Sequence, residues 1–307
     1  MWNLALNKPT PMRYTVIQKS RGTVMQNKTC LITGANSGIG KEIALGLAQQ
    51  GAHLILVCRN VSKAQLVVNE IKEKTGSEKI DLLIVDLSSQ AEIRSLANTI
   101  LNRYSRLDVL INNAGLVLLN KKHSVDNIEM TLATNHLGPF LLNYLLIDLL
   151  KASAPSRIIN VSSASHHWAK LAMDDLQFEH RKYKLMAAYA QSKLLMNIVS
   201  FELARRLEGT GVTVNCVHPG IVRSHLGSDE ANNLFLKTFD KLIKCFFISP
   251  KAGAKTPLYL ASSPEVQNVT GKYFVKYKPR AAKAIAYDQD LAKKIWQISE
   301  NLVGIKD

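Results

Sequence analysis

Tyr189 and Lys193 stand four residues apart in Tyr189-Ala190-Gln191-Ser192-Lys193, inside a periodic stretch that predicts a helix from Met186 to Leu207. That spacing stacks the two side chains on one face. A phenol of ordinary pKa, near about 10, is a poor base at neutral pH, and an adjacent ammonium favours the phenolate. The pair is a candidate proton-transfer unit, although the same spacing also occurs on ordinary amphipathic helices. The other chemical stretch is Leu31-Ile32-Thr33-Gly34-Ala35-Asn36-Ser37-Gly38-Ile39-Gly40, where an apolar run ends in three spaced glycines and a helical pattern begins. Without a Cβ the backbone can approach a ligand closely, and a helix start offers unpaired N–H groups and partial positive charge to phosphate. A dinucleotide pyrophosphate is the natural occupant. The spacing, Gly-x-x-x-Gly-x-Gly, differs from the common Gly-x-Gly-x-x-Gly fingerprint.

These residues need elements to hold them. From Asn27 onward, apolar runs alternate with helical patterns: Thr29–Thr33, His53–Cys58, Ile80–Val85, Leu107–Ile111, Arg157–Val161 and Val212–Val217 read as strands. Helices are predicted over Gly38–Gln50, Ser62–Lys74, Ser89–Tyr104, Val125–Leu150 and Met186–Leu207. Strands apolar on both faces, separated by helices, predict a doubly wound, Rossmann-type α/β fold with a parallel sheet flanked by helices. The pattern continues to about Val275 without a break in composition, which makes residues 27–307 a single domain. Residues 1–26, with Pro9 and Pro11 and no sustained periodicity, read as a basic, loosely ordered arm. Ligands in such sheets bind beyond the carboxyl ends of the strands, and every predicted strand ends in polar or glycine-rich sequence there.

Composition narrows the partners. The 307 residues are 47% hydrophobic and 21% charged, an ordinary globular balance, and no apolar run is long enough to span a bilayer. The amino-terminal stretch lacks the compact apolar block of a secretory signal, so a cytoplasmic location is expected. Cys30, Cys58, Cys216 and Cys245 show no C-x-x-C pairing and read as small core residues, so neither a disulfide nor a metal site is expected. The net charge of +15 is not arranged as a basic run with interleaved aromatics, so it reads as solvated surface and no nucleic-acid partner is expected.

In combination the motifs resemble the short-chain dehydrogenase/reductase family from about Lys28 to Leu302. The resemblance rests on Thr33–Gly40, Asp86-Leu87, Asn112-Asn113-Ala114-Gly115, Asn135, Ser162-Ser163, Tyr189–Lys193 and Pro219-Gly220. Within the family, Leu56–Asn60, Met173–Gln177 and Gly271–Phe274 are most similar to the retinol dehydrogenase-like members. The resemblance implies an oxidoreductase with Tyr189 as general acid and base. It implies that Lys193 lowers the Tyr189 pKa and bonds the nicotinamide ribose, that Ser163 polarises the substrate oxygen, and that Asn135 anchors a water leading to solvent. Ser162 is the alternative to Ser163. It also implies a cofactor site of Gly34, Asn36, Ser37, Gly38, Ile39, Gly40, Asp86, Leu87, Asn113, Ala114 and Gly115, with Tyr189 and Lys193. Pro219, Gly220, Val222 and Ser224 would flank the nicotinamide.

The position about 20 residues past the glycines separates NAD(H), which takes a carboxylate there, from NADP(H), which takes a basic group. Cys58 followed by Arg59 offers no carboxylate and a guanidinium that forks onto phosphate, so NADP(H) is favoured. His166, His167 and Trp168 read as loop residues at a substrate entrance, the adjacent histidines pointing apart. Residues 234–247 place Phe235, Phe239, Leu242, Ile243 and Phe246 on one helical face and Lys237, Lys241 and Lys244 on the other. The resemblance makes this a substrate lid near 224–250, implying a hydrophobic carbonyl or alcohol of the retinoid, steroid, polyprenoid or lipid aldehyde class; a peripheral membrane contact is the second reading. The resemblance further implies a homodimer or homotetramer paired through helices that include the Tyr189 helix. The competing class is a non-catalytic NADP-binding sensor or scaffold, against which the four proton-relay residues stand.

Overall fold

Apolar runs of four to seven residues become strands because both of their faces are covered. β1 (Thr29–Thr33) is buried at every position, and β2 (His53–Cys58), β4 (Val109–Asn112), β5 (Ser156–Val161) and β6 (Val212–His218) are buried almost throughout. The structure, a computed structural model, describes residues 24–220 and 248–305. Most of the basic arm over residues 1–26, most of the lid near 224–250, Val222, Ser224 and Cys245 therefore lie outside the described residues.

The sheet has eight strands in the order β3-β2-β1-β4-β5-β6-β7-β8, with β3 at Ile80–Ile84, β7 at Lys272–Val275 and β8 at Lys278–Arg280. All pairings are parallel except β7 with β8. That last hairpin turns on Lys276 and Tyr277, both with positive φ (48° and 67°), as a two-residue hairpin of primed type requires. The strand order reverses beside β1, so the crevice for a ligand opens between the carboxyl ends of β1 and β4.

Alternation along the strands divides the core. Cys30, Ile32, Leu54, Leu56, Val109, Ile111 and Phe274 pack with α1 (Gly38–Gln49), α2 (Val61–Thr75) and, after the sheet's sixth strand, the helix Pro250–Ser262. Leu31, Ile55, Leu110, Ile158, Val214 and Tyr273 pack on the other face. There they meet α3 (Gln90–Arg103), α4 (Gly138–Ala152), α5 (Leu185–Arg206) and the carboxyl-terminal helix Gln289–Leu302. The last two helices are α6 (Pro250–Ser262) and α7 (Gln289–Leu302). Local chemistry sets the helix starts: Asn60, Ser89, Ser249 and Asp288 each accept a backbone N–H of the first turn.

One predicted helix starts late. The pattern over Val125–Leu150 resolves into a helical turn at Met130–Leu132, a π-helical stretch at Ala133–Leu137 and α4. The Glu129 carboxylate accepts from Thr131 N (2.8 Å) and Leu132 N (2.7 Å) and so fixes the start there. Upstream, Asn127 has positive φ and Val125 is 83% exposed, so its fit to the apolar period is incidental.

The entry to β1 and β4 is held by Asp108. Its carboxylate, 3% exposed, accepts from Lys28 Nζ (2.8 Å), Arg106 Nε (2.8 Å) and the backbone N–H of Thr29 (2.9 Å). Burial alone would raise its pKa, but the Arg106 and Lys28 hydrogen bonds outweigh it and hold the group below the ordinary carboxylate value. A depressed folded pKa stabilises the fold above the unfolded value, about 3.9, and the contribution vanishes as pH falls through the folded pKa. Asp108→Asn is therefore expected to lower unfolding free energy by about 2 kcal/mol at pH 7. The deficit should shrink below about pH 3, measured by urea denaturation at both pH values. An equal deficit at the two would show that charge is not the cause.

Candidate active site

The glycine loop is shaped by what lies beneath it. Gly34 has φ +65°, and a Cβ there would come within 2.8 Å of Ala114 Cα, while a Cβ on Gly40 would overlap the Gly34 carbonyl oxygen and Asn113 Nδ2. Gly38 also has positive φ (+56°), but open space surrounds its missing Cβ. Two glycines thus serve packing, and the third faces the crevice. Thr33 Oγ1 accepts from the backbone N–H groups of Asn113 and Ala114, both at 3.0 Å. Asn113 Nδ2 returns bonds to the carbonyls of Thr33 (2.9 Å) and Gly34 (3.1 Å). Asn113 therefore locks the two loops together rather than only lining a wall. Asn36, Ser37 and Ile39 complete the turn into α1, whose first turn carries no acidic residue and whose Ser37 side chain makes no cap bond. This helix start suits an anion.

The neighbouring strand ends continue the rim. Arg59 is exposed directly after β2, and Asn60 beside it caps α2. Asp86, after β3, accepts from Ser88 N (2.9 Å) and Ser88 Oγ (2.8 Å). Leu87 is buried in the core. After β6, His218-Pro219-Gly220 carries the rim onward, Gly220 with φ +100°.

Tyr189, Lys193, Ser163 and Asn135 meet between these ends. The Ser163 hydroxyl lies close enough to the Tyr189 phenol to pull its pKa down. Ser163 Oγ also accepts from Ser165 N (3.2 Å), while Ser162 Oγ is buried with no hydrogen-bond partner. Of the two serines, Ser163 is the one at the phenol. Lys193 Nζ lies 5.8 Å from the centre of the Tyr189 ring and donates to the Val161 carbonyl at 2.8 Å. Asn135 sits in the π-helical stretch, where its Nδ2 bonds Leu116 O (2.9 Å) and Ser192 Oγ (3.1 Å) and its Oδ1 accepts from Leu116 N (2.8 Å). Gly115 keeps the space between them: a Cβ there would stand 3.3 Å from Asn135 Oδ1 and 3.5 Å from Lys193 Nζ.

Burial governs the electrostatics of the pair. In the protein alone it raises the Tyr189 pKa, opposed by the nearby Ser163 hydroxyl. Burial instead pushes Lys193 down to about 8. Two groups whose ordinary values are near about 10 are driven in opposite directions, because desolvation favours the neutral form of each.

His166, His167 and Trp168 also differ from expectation. They form a short 3-10 turn, Ala164–Trp168, in which His166 is wholly buried and its ring centre lies only 4.0 Å from that of His167. His167 and Trp168 stand out in solvent, Trp168 72% exposed. Sequence reasoning also passed over a buried chain of amides: Asn112 Nδ2 donates to Asn143 Oδ1 and Asn160 Oδ1 (both 2.8 Å), and Asn160 Nδ2 to Ser200 Oγ (2.7 Å). The available signal was Asn160, a polar residue inside an apolar strand. A cleft of about 450 Å³ lined by His53, Asp81, Arg103, Tyr104 and Arg106 lies at the opposite sheet edge, where Asp81 accepts from His53, Tyr104 and Arg103. Among the described residues no group of three His, Cys, Asp or Glu side chains could hold a metal, and no helix is long and apolar enough to cross a membrane.

The profile of the family described as short chain dehydrogenase matches residues 28–234. Human retinol dehydrogenase 13 is 41% identical over 94% of this chain and 87% of its own length. Human retinol dehydrogenase 14 is 42% identical over 92% and 88%. Among solved structures, an uncharacterized protein from Mycobacterium paratuberculosis superposes with a TM-score of 0.75 at 28% identity, covering 92% of this chain and 95% of that one. The Pseudomonas aeruginosa RhlG/NADP complex does so at 0.66 and 26%, covering 81% and 94%. Fold, glycine crevice and sequence agree that the chain belongs to the short-chain dehydrogenase family and is an oxidoreductase of CH–OH groups that binds a nicotinamide cofactor.

Proposed function

We propose that the chain is an NADP(H)-dependent oxidoreductase for a hydrophobic carbonyl or alcohol, with Tyr189 as general acid and base. The observation that carries this reading is the meeting of Tyr189, Ser163 and Lys193 beside the crevice that Gly38 leaves open. The cofactor, when bound, supplies or accepts the hydride. Gly34, Gly38, Gly40 and the α1 start would hold its pyrophosphate, Asp86 and Ala114 its adenosine half, and Lys193 its nicotinamide ribose.

The remaining chemistry belongs to the side chains. Ser163 Oγ already accepts the Ser165 N–H, so its own proton is free to point at the phenol or at a substrate oxygen. A substrate oxygen between Ser163 and Tyr189 would accept from both, and reduction would draw the Tyr189 proton as negative charge develops. Burial keeps the phenol protonated, which suits the acid role. Asn135, bonded at both amide ends to Leu116, holds the wall from which a water would lead toward Lys193.

Arg59 supports NADP(H), because it is an exposed basic residue directly after β2 with no carboxylate beside it in Cys58-Arg59-Asn60. The identity of about 40% to retinol dehydrogenases supports an apolar substrate. The Lys237, Lys241 and Lys244 face proposed for peripheral membrane contact lies outside the described residues. A homodimer or homotetramer paired through helices that include α5 completes this reading; at the end of α5 the Arg206 guanidinium lies 4.1 Å from the centre of the Trp296 ring of α7.

Tyr189→Phe is expected to lower kcat for NADPH-driven reduction of all-trans-retinal or another apolar aldehyde by at least about 100-fold, with NADPH binding retained. Undiminished turnover would refute the acid role. In the same assay Arg59→Ala should raise KM for NADPH by about 10-fold, the loss of one charge-assisted contact, and leave KM for NADH unchanged. An equal effect on both cofactors would remove the argument for NADP(H).

A further inference from the structure

Ser163 lies beyond the reach of the sheet. β5 ends at Val161, and the bond from Ser162 N to Val217 O (2.8 Å) is the last rung to β6. The next peptide plane, made by the Ser163 carbonyl and the Ala164 N–H, sets the direction in which the Ser163 Cα–Cβ bond points. It is gripped from both sides. His166 Nδ1 stands 2.6 Å from the Ser163 carbonyl oxygen, and the Ala164 N–H donates to His218 Nδ1 at 3.3 Å.

The hydrogen bonds of His166 admit one tautomer. The Ser163 carbonyl can only accept, so Nδ1 must carry the proton; the backbone N–H of Lys283, 3.2 Å from Nε2, can only donate, so Nε2 must carry the lone pair. An imidazolium would turn a second N–H onto the Lys283 N–H. The ring cannot swing away, being wholly buried, with the Tyr273 ring edge-on at 4.7 Å and the His167 ring at 4.0 Å. Burial, with the charges His167, His218 and Lys283 would carry, lowers the His166 pKa to about 4.

We propose that His166 is a positioning residue: its neutral Nδ1–H tautomer, braced by the backbone of the carboxyl-terminal segment at Lys283, fixes the Ser163–Ala164 peptide plane and thereby aims the Ser163 hydroxyl at the substrate oxygen. The assignment rests on the reading of Ser163 as the polarising donor. Within it, the Lys283 N–H selects the tautomer of an imidazole and the Nδ1–H bond to Ser163 carries the aim, so a side chain whose N–H needs no tautomer selected can do without the Lys283 link.

The two bonds can be separated. His166→Asn keeps an amide N–H near the Nδ1 position and loses the link to Lys283; His166→Gln places its amide oxygen near Nε2 and loses the link to Ser163. In NADPH-driven reduction of an apolar aldehyde, His166→Gln should lower kcat by about 10- to 100-fold with KM for NADPH unchanged, the scale of a misaimed catalytic group. His166→Asn should stay within about threefold of wild type, whatever the order of the two melting temperatures. A role through Ser163 also requires non-additivity: His166→Gln placed on Ser163→Ala should cost nothing further. Losses that add, or kcat values that follow melting temperature alone, would overturn the positioning role. Ser163→Ala with wild-type kcat would instead overturn the reading of Ser163, a separate result. Independently of activity, ¹⁵N shifts of histidine-labelled protein should show His166 with a protonated Nδ1 and an unprotonated Nε2 from pH 5 to 8; the opposite tautomer, or titration within that range, would overturn the proposal.

Discussion

The crevice at the switch in strand order exists because β1 and β4 are tied together just where their loops part. Thr33 is the tie. Its hydroxyl accepts two backbone N–H groups from the β4 loop, and Asn113 answers with two bonds to the β1 loop. Every one of these atoms is a polar group at the margin of the core, where an unmade bond costs about 1–3 kcal/mol. The glycines follow from the tie: with the loops drawn this close, no Cβ fits at Gly34 or Gly40. Gly38 lies outside the tie, with open space where a Cβ would stand, so the double lock accounts for the first and third glycines of the spacing and not for the second.

Behind the crevice the central problem is a buried cation. Lys193 is 3% exposed, and its ammonium has three protons to donate, of which the Val161 carbonyl takes one. Burial favours the neutral form of such an ammonium, which is why its pKa falls. Cofactor hydroxyls would return acceptors to it, and the proposed role in binding the ribose follows from this deficit more than from proximity to Tyr189. The phenol, shielded in the same way, stays protonated until something takes its proton.

How much of this could be read in advance depended on the range of the interaction. Strands β1 and β2 fall on the residues that periodicity predicts, since a strand covered on both faces leaves an unbroken apolar run. Tyr189 and Lys193 are neighbours by helical spacing, and Ser163 rather than Ser162 lies near the phenol because the backbone stays extended past the end of β5 and turns successive side chains to opposite sides. The late start of the helix at Met130 was hidden by Val125, whose apolar character fits the period while its side chain faces solvent. His166 was read as a loop residue because its partners lie elsewhere: Tyr273 is on β7 and Lys283 is 117 positions away. No local pattern encodes a bond of that separation. The same holds for Asn143 and Ser200, which look like ordinary helix residues until Asn112 and Asn160 are placed between them.

Those distant partners share an origin. The family profile ends at residue 234, yet the segment beyond β8 packs behind the residues proposed for the reaction. Lys283 bonds His166 through its backbone and Ala169 through its ammonium. Tyr287 stacks on Phe201 of the Tyr189 helix at 5.0 Å, and Ser299 bonds His136 at 2.9 Å, one residue from Asn135. Ser163, Tyr189 and Asn135 are thus each backed, one residue or a few turns away, by the same carboxyl-terminal unit. A rigid support of this kind is what a polarising hydroxyl beyond the last rung of a sheet requires, because its aim is otherwise set only by backbone free to turn. The parallel sheet brings the proposed reacting groups to one edge, and the added segment contacts the residues behind them.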